Sequence, residues 1–313
     1  MFLADVKSLA IGKNTQGDSL KGGAGVQSGR VSITGDLASG ALSGNIRGGT
    51  SDLTGGFIVS GDLKKLDIGG SIIGGDSATG TVRVNTGYLQ AGLLVKGTID
   101  GSVTAGTNGG VSLANSGVIR TGRIQDLTIG GNVTGNANVA AVISAAATID
   151  TNNVGIAKLL IKGNADFAEI LSGYGGVTTS GFRGQLTSAD AQNGTVEIRG
   201  STHSTNIIAG AAAGTGGRFG DATDVIASGI GVRNGASVIS QIASVILKGS
   251  VLANADTFGI VAQHLLSVKL GAAGTPLAGL TKGPGNDTAT PLPDASDEIG
   301  AAGSKFRAVE LAV

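Results

Sequence analysis

The feature that most constrains this chain is a short apolar pattern that recurs along most of its length and is followed by glycine. Its clearest copy has apolar residues at Ile124, Leu127 and Ile129, and then the pair Gly130-Gly131. Because side chains of a strand alternate between its two faces, Leu127 and Ile129 lie on the same face. The glycine pair permits a sharp change of direction, since glycine adopts backbone angles that a side chain forbids. The unit is therefore predicted to be a strand, a corner and a second strand.

Six copies place apolar residues at the first, fourth and sixth positions, and three looser copies keep part of this spacing. The six are Val6-Leu9-Ile11, Leu63-Leu66-Ile68, Ile124-Leu127-Ile129, Ile156-Leu159-Ile161, Ile242-Val245-Leu247 and Leu265-Val268-Leu270. The looser copies are Val31-Ile33, Leu93-Val95 and Val196-Ile198. Consecutive copies lie between 22 residues apart, as from Ile11 to Ile33, and 49 residues apart, as from Ile198 to Leu247. Repeats with loops of variable length indicate a solenoid, in which each unit buries its apolar edge by stacking on its neighbours.

The composition agrees with a repeat protein that has a thin core. Glycine accounts for 57 of the 313 residues and aromatic residues for only 3%, whereas a compact enzyme normally fills its core with bulky rings. The hydrophobic fraction of 41% is higher than a soluble disordered chain carries. The formal net charge is zero, which gives no electrostatic support for nucleic acid or an anionic membrane as a partner.

The chain lacks the sequence features of disulfide-rich and membrane-spanning proteins. Cysteine is absent, so disulfides and thiolate metal sites are excluded. The longest run of apolar and small residues, Ile207 to Ala213, is far shorter than the roughly 20 residues of a membrane span. No signal peptide is visible at residues 1–5. Because the first repeat starts at Val6 without a capping segment, we expect a piece of a longer polypeptide.

The repeats are predicted to occupy residues 1–271, with a long insertion at about 201–240 where the pattern weakens. The stretch Ala165 to Leu171 is predicted to be a loop, because glycines follow it. Residues 272–313 differ in composition, since they contain all four prolines of the chain. Proline cannot donate to a sheet, so this region is predicted to be a linker or cap. Phe306 to Leu311 alternates again and is predicted to be a final strand that covers the open edge of the last repeat.

The best candidate catalytic residues are Asp221 and Asp224 with Arg218, which lie in the predicted insertion. A solenoid enzyme would build its site there, and polysaccharide lyases and hydrolases on such scaffolds use carboxylates with a basic residue. No second acidic group occupies a matching place on a neighbouring repeat. The sequence therefore favours solvated loop charges over a catalytic role.

The remaining motifs give little support for a metal site or for nucleophilic catalysis. Residues 283–288 resemble half of a calcium-binding nonapeptide, with Asp287 as the candidate ligand, but the motif occurs once and binds only when repeated. The residues Gly17 to Leu20 match the signature motif of the GDSL esterases, in which the serine is the nucleophile. Neither His203 nor His264 has the aspartate three residues before it that those enzymes need. Both histidines are predicted to be isolated, and no cofactor is predicted apart from this calcium candidate.

A set of basic residues follows the last apolar residue of four copies. The set consists of Lys96, Lys162, Arg199 and Lys248. If these residues stack on one outer face, they form a basic surface that acidic glycans would bind. Glycine and threonine take the same place in other copies, which favours charges that simply keep a sheet face solvated.

Two families resemble these repeats. Residues 124–132 and 156–164 resemble the opening of a leucine-rich repeat, although Thr134 and Asp166 stand where that repeat continues with leucine. The nearer resemblance is to the glycine-rich parallel β-helix repeats of large bacterial surface and autotransporter-like proteins. It rests on the corners at residues 66–72 and 127–133 and covers residues 6–271.

This resemblance implies an extracellular or cell-surface protein, secreted or surface-attached, that is elongated and non-catalytic. We therefore expect an all-β, right-handed parallel β-helix (a β-solenoid) of about eight to ten repeats with a short proline-containing C-terminal cap. Its expected role is that of a structural segment or adhesin, with glycans, other surface proteins or neighbouring segments of the same chain as partners. The alternative is a carbohydrate-active enzyme, a polysaccharide lyase or hydrolase, on the same scaffold.

Overall fold

The computed structural model describes residues 2–76, 83–107, 113–147, 153–175, 183–215, 217, 219–220, 223–227, 239–252, 257–277 and 306–311. Within these residues every regular element is a β-strand and none is a helix. Most strands belong to one large curled sheet of 18 strands, and seven short strands form a second sheet. The all-β class predicted from the sequence is confirmed.

The strands are named in chain order. They are β1 (Phe2–Leu3), β2 (Val6–Ile11), β3 (Asp18–Lys21), β4 (Val31–Ile33), β5 (Leu37–Leu42), β6 (Asn45–Arg47), β7 (Thr54–Ile68), β8 (Ile72–Ile73), β9 (Arg83–Ile99), β10 (Val103–Thr104), β11 (Leu113–Ile129), β12 (Val133–Thr134), β13 (Ala141–Ala145), β14 (Val154–Ile161), β15 (Ala165–Asp166), β16 (Ala168–Ser172), β17 (Tyr174–Gly175), β18 (Gln185–Leu186), β19 (Gln192–Ile198), β20 (Thr202–His203), β21 (Asn206–Ala209), β22 (Ala211–Ala212), β23 (Val225–Ile226), β24 (Gln241–Leu247), β25 (Phe258–Ala262), β26 (His264–Leu265), β27 (Val268–Leu270), β28 (Thr275–Pro276) and β29 (Phe306–Glu310).

Most of these strands form three stacks of parallel neighbours, and the chain visits the stacks in a fixed order. The first stack contains β1, β4, the first halves of β7, β9 and β11, then β13, β16, β21, β25 and β29. The second contains β2, β5, the second halves of β7, β9 and β11, then β14, β19, β24 and β27. The third contains β3, β6, β8, β10, β12, β15 and β20. Each repeat therefore lies directly on the one before it.

The apolar pattern of the sequence forms continuous columns along the second stack. Leu63, Leu94, Ile124 and Ile156 are aligned as neighbours in successive repeats. All four are buried, and they belong to one apolar cluster that runs through the repeats. Each buried side chain thus packs on its counterpart one repeat away, which is how a repeat that cannot form its own core becomes stable.

Two of the looser copies were assigned wrongly from the sequence. Val31–Ile33 belongs to the first stack, and the second-stack strand of that repeat is β5. In the copy around Leu93, the aligned residue is Leu94 rather than Leu93. The cause is the same in both repeats, because Gly40 and Gly97 occupy the middle apolar position of the pattern.

These two glycines create an alternating column at that position. The aligned residues are Leu9, Gly40, Leu66, Gly97 and Leu127. A Cβ atom on Gly97 would lie 3.0 Å from Leu127 Cδ1, and a Cβ atom on Gly40 would lie 3.1 Å from Leu66 Cδ1. The leucine of the next repeat and a leucine of the same strand, Leu94 or Leu37, therefore fill the space beside each glycine.

The predicted insertion and the predicted loop also need correction. Thr202–His203 and Asn206–Ala209 continue the third and first stacks, so the insertion begins after Ala209 rather than at residue 201. The stretch Ala165 to Leu171 is not a loop, because it contains β15 and most of β16. At the C-terminal end, β28 pairs antiparallel with β27, and β29 pairs parallel with β25.

Side chains at the corner between the second and third stacks form hydrogen bonds along the stacking direction. In each pair a side-chain oxygen accepts the backbone N–H of the aligned residue one repeat further on. The acceptor and donor residues are Asn45 and Ser71 (2.8 Å), Ser71 and Ser102 (2.9 Å), Ser102 and Asn132 (2.9 Å), Asn132 and Asn164 (2.8 Å), and Asn164 and Ser201 (2.9 Å). We call this set the corner ladder. It satisfies amides that the turn removes from the sheet.

A second, buried set of hydroxyls serves the corner between the third and first stacks. Ser116 Oγ accepts the N–H of Gly106 at 3.0 Å and the hydroxyl of Thr86 at 3.0 Å. It also donates to the carbonyl of Gly75 at 3.2 Å. Ser116 is 1% exposed, so water cannot replace these bonds.

We expect Ser116→Ala to destabilise the protein by about 1–3 kcal/mol, because it leaves a buried N–H and a buried carbonyl without partners. The matched change Ser102→Ala removes a hydroxyl from the partly exposed corner ladder, where water can bond to the N–H of Asn132, and should cost less than about 1 kcal/mol. Urea unfolding followed by circular dichroism measures both. Equal losses would show that burial does not set the strength of these bonds.

A column of glycines lies at the same buried corner. Its members are Gly29, Gly55, Gly87 and Gly117, with φ angles of 64°, 59°, 59° and 65°. A Cβ on Gly87 would lie 1.9 Å from the carbonyl oxygen of Ile73. Both the left-handed backbone and the close backbone approach therefore require glycine here.

Gly87→Ala is expected to cost clearly more than the roughly 1–2 kcal/mol of a left-handed backbone alone, because the strand must also move away from Ile73. Gly271→Ala is the matched control, since Gly271 has a φ of 71° and no atom within 4 Å of its added Cβ. The two variants can be compared by thermal and urea unfolding. A Gly87→Ala protein as stable as the control would contradict the close packing of this corner.

Candidate functional site

The outer side of the first stack carries a second apolar cluster, which is covered by segments outside the stacks. Leu171, Ile208 and Val261 lie under this cover in successive repeats. Tyr174 of β17 and Phe219 pack on them from outside. This part of the first stack is therefore buried on both faces, and polar groups within it need partners supplied by the protein.

Glu169 of β16 is the charged residue at the edge of this cluster. It aligns with Val142 on one side and Asn206 on the other, and it is only 4% exposed. Its Oε1 atom accepts hydrogen bonds from Asn206 Nδ2 at 3.0 Å and from Arg183 Nη2 at 3.2 Å and Nε at 3.3 Å. Asn206 is itself fixed, because its Oδ1 accepts the N–H of Gly259 at 2.9 Å.

Arg183 lies outside the stacks and is held by three kinds of contact. It forms the ion pair with Glu169, it donates from Nη1 to the carbonyl of Gly217 at 2.9 Å, and its guanidinium lies 4.6 Å from the centre of the Phe219 ring. Stacking on an aromatic ring and branched hydrogen bonding are both characteristic of arginine. The position of the Arg183 charge is therefore well defined.

The second carboxylate oxygen of Glu169 has no hydrogen-bond partner among the described residues. Oε2 is buried, whereas Oε1 accepts three hydrogen bonds. A buried acceptor without a donor costs free energy, and native proteins contain few of them. This oxygen is the chemically unusual atom of the region.

Glu169 also lines a cavity of about 220 Å³ on the outer side of the corner between the third and first stacks. The cavity spans four successive repeats. Other lining residues include Asn136, Asn138, Phe167, Ser204, Thr257 and Phe258. Backbone amides of Asn138 and Val139 donate to Asn136 Oδ1 and fix the turn that forms one wall. The Asn138 residue itself is exposed at the rim.

A histidine–aspartate pair lies next to this cavity. Asp166 and His203 are aligned in the third stack, and Asp166 Oδ1 lies 2.6 Å from His203 Nδ1. The His203 ring meets the edge of Phe167, with 5.3 Å between ring centres. The prediction that His203 is isolated was therefore wrong. His264, in β26, is 1% exposed and belongs to the buried interior.

The candidate catalytic residues of the sequence are only partly covered by the structure. Asp224 is 9% exposed, and its Oδ2 accepts the N–H of Gly220 at 2.6 Å, so it stabilises a turn. Arg218 and Asp221 lie outside the described residues, as does the calcium candidate Asp287. Catalysis by Asp221, Asp224 and Arg218 stays a prediction.

Tyr174 lies close to both acidic residues of this region. Burial raises the pKa of its hydroxyl; Arg183 acts in the opposite direction, and Glu169 and Asp224 raise it further. The hydroxyl donates to the carbonyl of Ala211 at 2.6 Å. Tyr174 is therefore a neutral donor that joins β17 to β22, two strands that lie outside the stacks.

The predicted basic surface exists only in part. Lys162, Arg199 and Lys248 follow aligned residues of the second stack, so they are stacked. Lys96 belongs to a different column, since it aligns with Lys65 and Asp126, and its inclusion was wrong.

Glu197 neutralises part of the remaining basic column. It bonds Arg199 at 2.8 Å and Lys248 at 3.0 Å. Hydrogen bonds from Arg199 and then Lys248 lower the pKa of Glu197, which keeps it charged at neutral pH. This face therefore carries paired charges rather than a uniformly basic strip.

Sequence reasoning missed Glu169 and Arg183. Glu169 lies in the stretch predicted to be a loop, and the partner Arg183 is 14 residues away in a segment without a repeat pattern. One signal was present, because Ile161 and Ile198 are aligned copies 37 residues apart. The same separation joins Glu169 to Asn206 and Asp166 to His203.

No protein-family model, curated protein or solved structure matches this chain. Among the described residues, no three histidine or acidic side chains are grouped so that they could hold a metal ion. The described part of the chain also contains no helix that is long and apolar enough to cross a membrane. The interpretation of the site therefore rests on its own geometry.

We expect Arg183→Met to destabilise the protein by about 3 kcal/mol, because it leaves the buried Glu169 charge without its cation. Adding Glu169→Gln to this variant should recover part of the loss, since the uncompensated charge is then removed. Urea unfolding of the two single variants and the double variant measures the coupling. A double variant that is no more stable than Arg183→Met would contradict the central role of the ion pair.

Proposed function

We propose that the chain is a right-handed parallel β-helix that serves as a structural or adhesive segment of a large bacterial surface or secreted repeat protein, without catalysis. The observation that carries this proposal is the unbroken alignment of the three stacks. In the second stack, nine strands from β2 to β27 are parallel neighbours in sequence order. Such a stack extends in one direction, and each added repeat lengthens it.

The repeat architecture supports a structural role. Parallel strands lie about 4.8 Å apart, so nine stacked strands span roughly 40 Å. Contacts are made mainly between adjacent repeats, as in other solenoids, and the stability of such a protein is approximately a sum over neighbouring interfaces. Repeats can therefore be added to increase length without redesign of a central core.

The outer face of the second stack carries charged side chains, as expected for a face that is exposed to solvent. Ion pairs connect neighbouring repeats, as between Lys158 and Asp126 at 3.4 Å, or lie within one strand, as between Lys64 and Asp62 at 2.6 Å. Charges on exposed sheets oppose aggregation. A surface of this kind suits an elongated segment that stays soluble beside other copies and meets glycans or surface proteins at particular sites.

A crystal structure of the purified chain tests the architecture. We expect the strands of the second stack, from β2 to β27, to be parallel neighbours in sequence order. Antiparallel neighbours in this stack, or strands paired out of sequence order, would overturn the β-helix. Incubation with a panel of neutral and acidic polysaccharides tests the absence of catalysis, and the appearance of new reducing ends or unsaturated products would favour a hydrolase or a lyase.

Protease treatment of intact cells of the source organism tests the location. A surface segment should be cleaved in intact cells and detected with an antibody against the chain. Complete protection in intact cells, with cleavage after lysis, would contradict a surface location while leaving the β-helix unaffected.

A further inference from the structure

We propose that an exposed column of basic residues at the corner between the second and third stacks binds an acidic polysaccharide through the carboxylate groups of its sugar units. The column consists of Lys162, Arg199 and Lys248, and we call it the basic corner. The inference rests on the adhesive part of the proposed function, and it names the class of glycan that this part binds.

The three residues of the basic corner occupy the same position in successive repeats. Each is exposed and follows the last apolar residue of its second-stack strand. The backbone N–H groups of Lys162, Arg199 and Lys248 donate to the carbonyls of Ile129, Ile161 and Ile198, one repeat earlier. Parallel strands lie about 4.8 Å apart, so the three cations extend over roughly 10 Å along the stacking direction. Lys269, which aligns with Ile246, adds a fourth exposed cation one repeat further on.

The scaffold does not require a cation at this position. The same backbone hydrogen bond is made in earlier repeats by Ser43, Gly69, Asp100 and Gly130, and in the repeat after the basic corner by Gly271. Since small, neutral and acidic residues all complete this turn, the basic side chains are not needed for the turn itself. Their occurrence in three successive repeats therefore favours a ligand over a role in folding.

The basic corner keeps a positive charge when its ion pairs are included. One carboxylate, that of Glu197, serves both Arg199 at 2.8 Å and Lys248 at 3.0 Å. Asp166, which lies beyond this corner in the third stack, is engaged by His203 at 2.6 Å. The four cations outnumber these two carboxylates, in a chain whose formal net charge is zero. The field at this corner therefore attracts anions.

A column of polar residues runs beside the basic corner, and only glycine separates the two columns. The polar residues are Asn164, Ser201 and Ser250, and the glycines are Gly163, Gly200 and Gly249. A Cβ on Gly200 would lie 2.2 Å from Asn164 Oδ1, so close packing keeps this position free of a side chain. Amide and hydroxyl groups exchange hydrogen bonds with sugar hydroxyls, and lysine and arginine form charge-assisted hydrogen bonds with carboxylates. The two columns together thus match the two kinds of polar group on an acidic sugar.

The residue types of both columns favour a polysaccharide over other anionic polymers. Proteins that bind single-stranded nucleic acids stack the bases on aromatic side chains, and peptide recognition depends on apolar or aromatic anchors in pockets. The two columns and the glycines between them contain only lysine, arginine, asparagine, serine and glycine. An acidic polysaccharide presents carboxylates and hydroxyls and needs no such anchor.

Biolayer interferometry with polygalacturonate tests this proposal, and fully methyl-esterified polygalacturonate is the matched neutral probe. We expect saturable binding of the acidic polymer only, and its loss at about 1 M NaCl, where the Debye length falls to about 3 Å. The double change Lys162→Gln with Lys248→Gln should weaken the binding about tenfold, since two exposed ion pairs with the ligand are lost. Lys64→Gln is the matched control, because Lys64 is an exposed lysine of β7 that also pairs with a carboxylate, and it should leave the affinity unchanged.

Glu197→Gln separates ligand binding from a purely structural role of the cations. This change removes the carboxylate that competes with the ligand for Arg199 and Lys248. Binding of polygalacturonate should therefore become about two- to fivefold tighter, although two surface ion pairs are lost. Circular dichroism checks that each variant is folded. Unchanged or weaker binding by folded Glu197→Gln would overturn the proposal.

The remaining outcomes also decide the question. No binding of polygalacturonate to the folded protein, equal binding of the esterified polymer, or unchanged affinity in the folded double variant would overturn the proposal. Tighter binding of polyglutamate or single-stranded DNA than of polygalacturonate would overturn the choice of a glycan. Binding of the neutral polymer alone would keep an adhesive role but reject the basic corner as its site. None of these results would alter the strand order that tests the β-helix.

Discussion

The structure depends on hydrogen bonds that run along the stacking direction and join each strand to its counterpart in the next repeat. In the straight segments the backbone supplies them, because parallel strands pair evenly along their length. At the corners the backbone turns away, and side chains take over. The corner ladder from Asn45 to Ser201 and the buried hydroxyls around Ser116 keep the amides of the turns satisfied. Alignment is therefore maintained around the whole repeat.

How well each stack can be predicted from the sequence depends on how regular its apolar pattern is. The second stack can be recognised from the sequence, because most positions of its inward columns are apolar, with Gly40, Gly97 and the buried Asn193 as exceptions. The first stack is harder to recognise, since its outer side is also buried and the alternation is lost at residues such as Ile58 and Leu171. The stretch Ala165 to Leu171 was interpreted as a loop because glycines follow it, and its buried residues offered no alternation to oppose that interpretation. Val31–Ile33 was placed in the wrong stack because Gly40 interrupts the apolar pattern of β5.

The cavity could not be predicted from the sequence for a related reason. Its residues come from successive repeats and from a segment without periodicity, so their proximity follows from alignment rather than from a local motif. The separation of 37 residues between the aligned Ile161 and Ile198 also predicts that Glu169 aligns with Asn206. Arg183 has no such relation to the repeat, and only the folded structure places its guanidinium against Glu169 and Phe219. The scaffold thus fixes one half of the site, and a segment outside the repeats supplies the other half.

The alternation of leucine and glycine at Leu9, Gly40, Leu66, Gly97 and Leu127 has an evolutionary consequence. Adjacent leucines are accommodated further along the same column, where Leu127 aligns with Leu159, so loss of a glycine-bearing unit would recreate an arrangement that the protein already contains. Loss of the unit that carries Leu66 would instead bring Gly40 and Gly97 together and leave a void in the core. Deletions that arise in this half are therefore expected to survive more often when they remove a glycine-bearing unit.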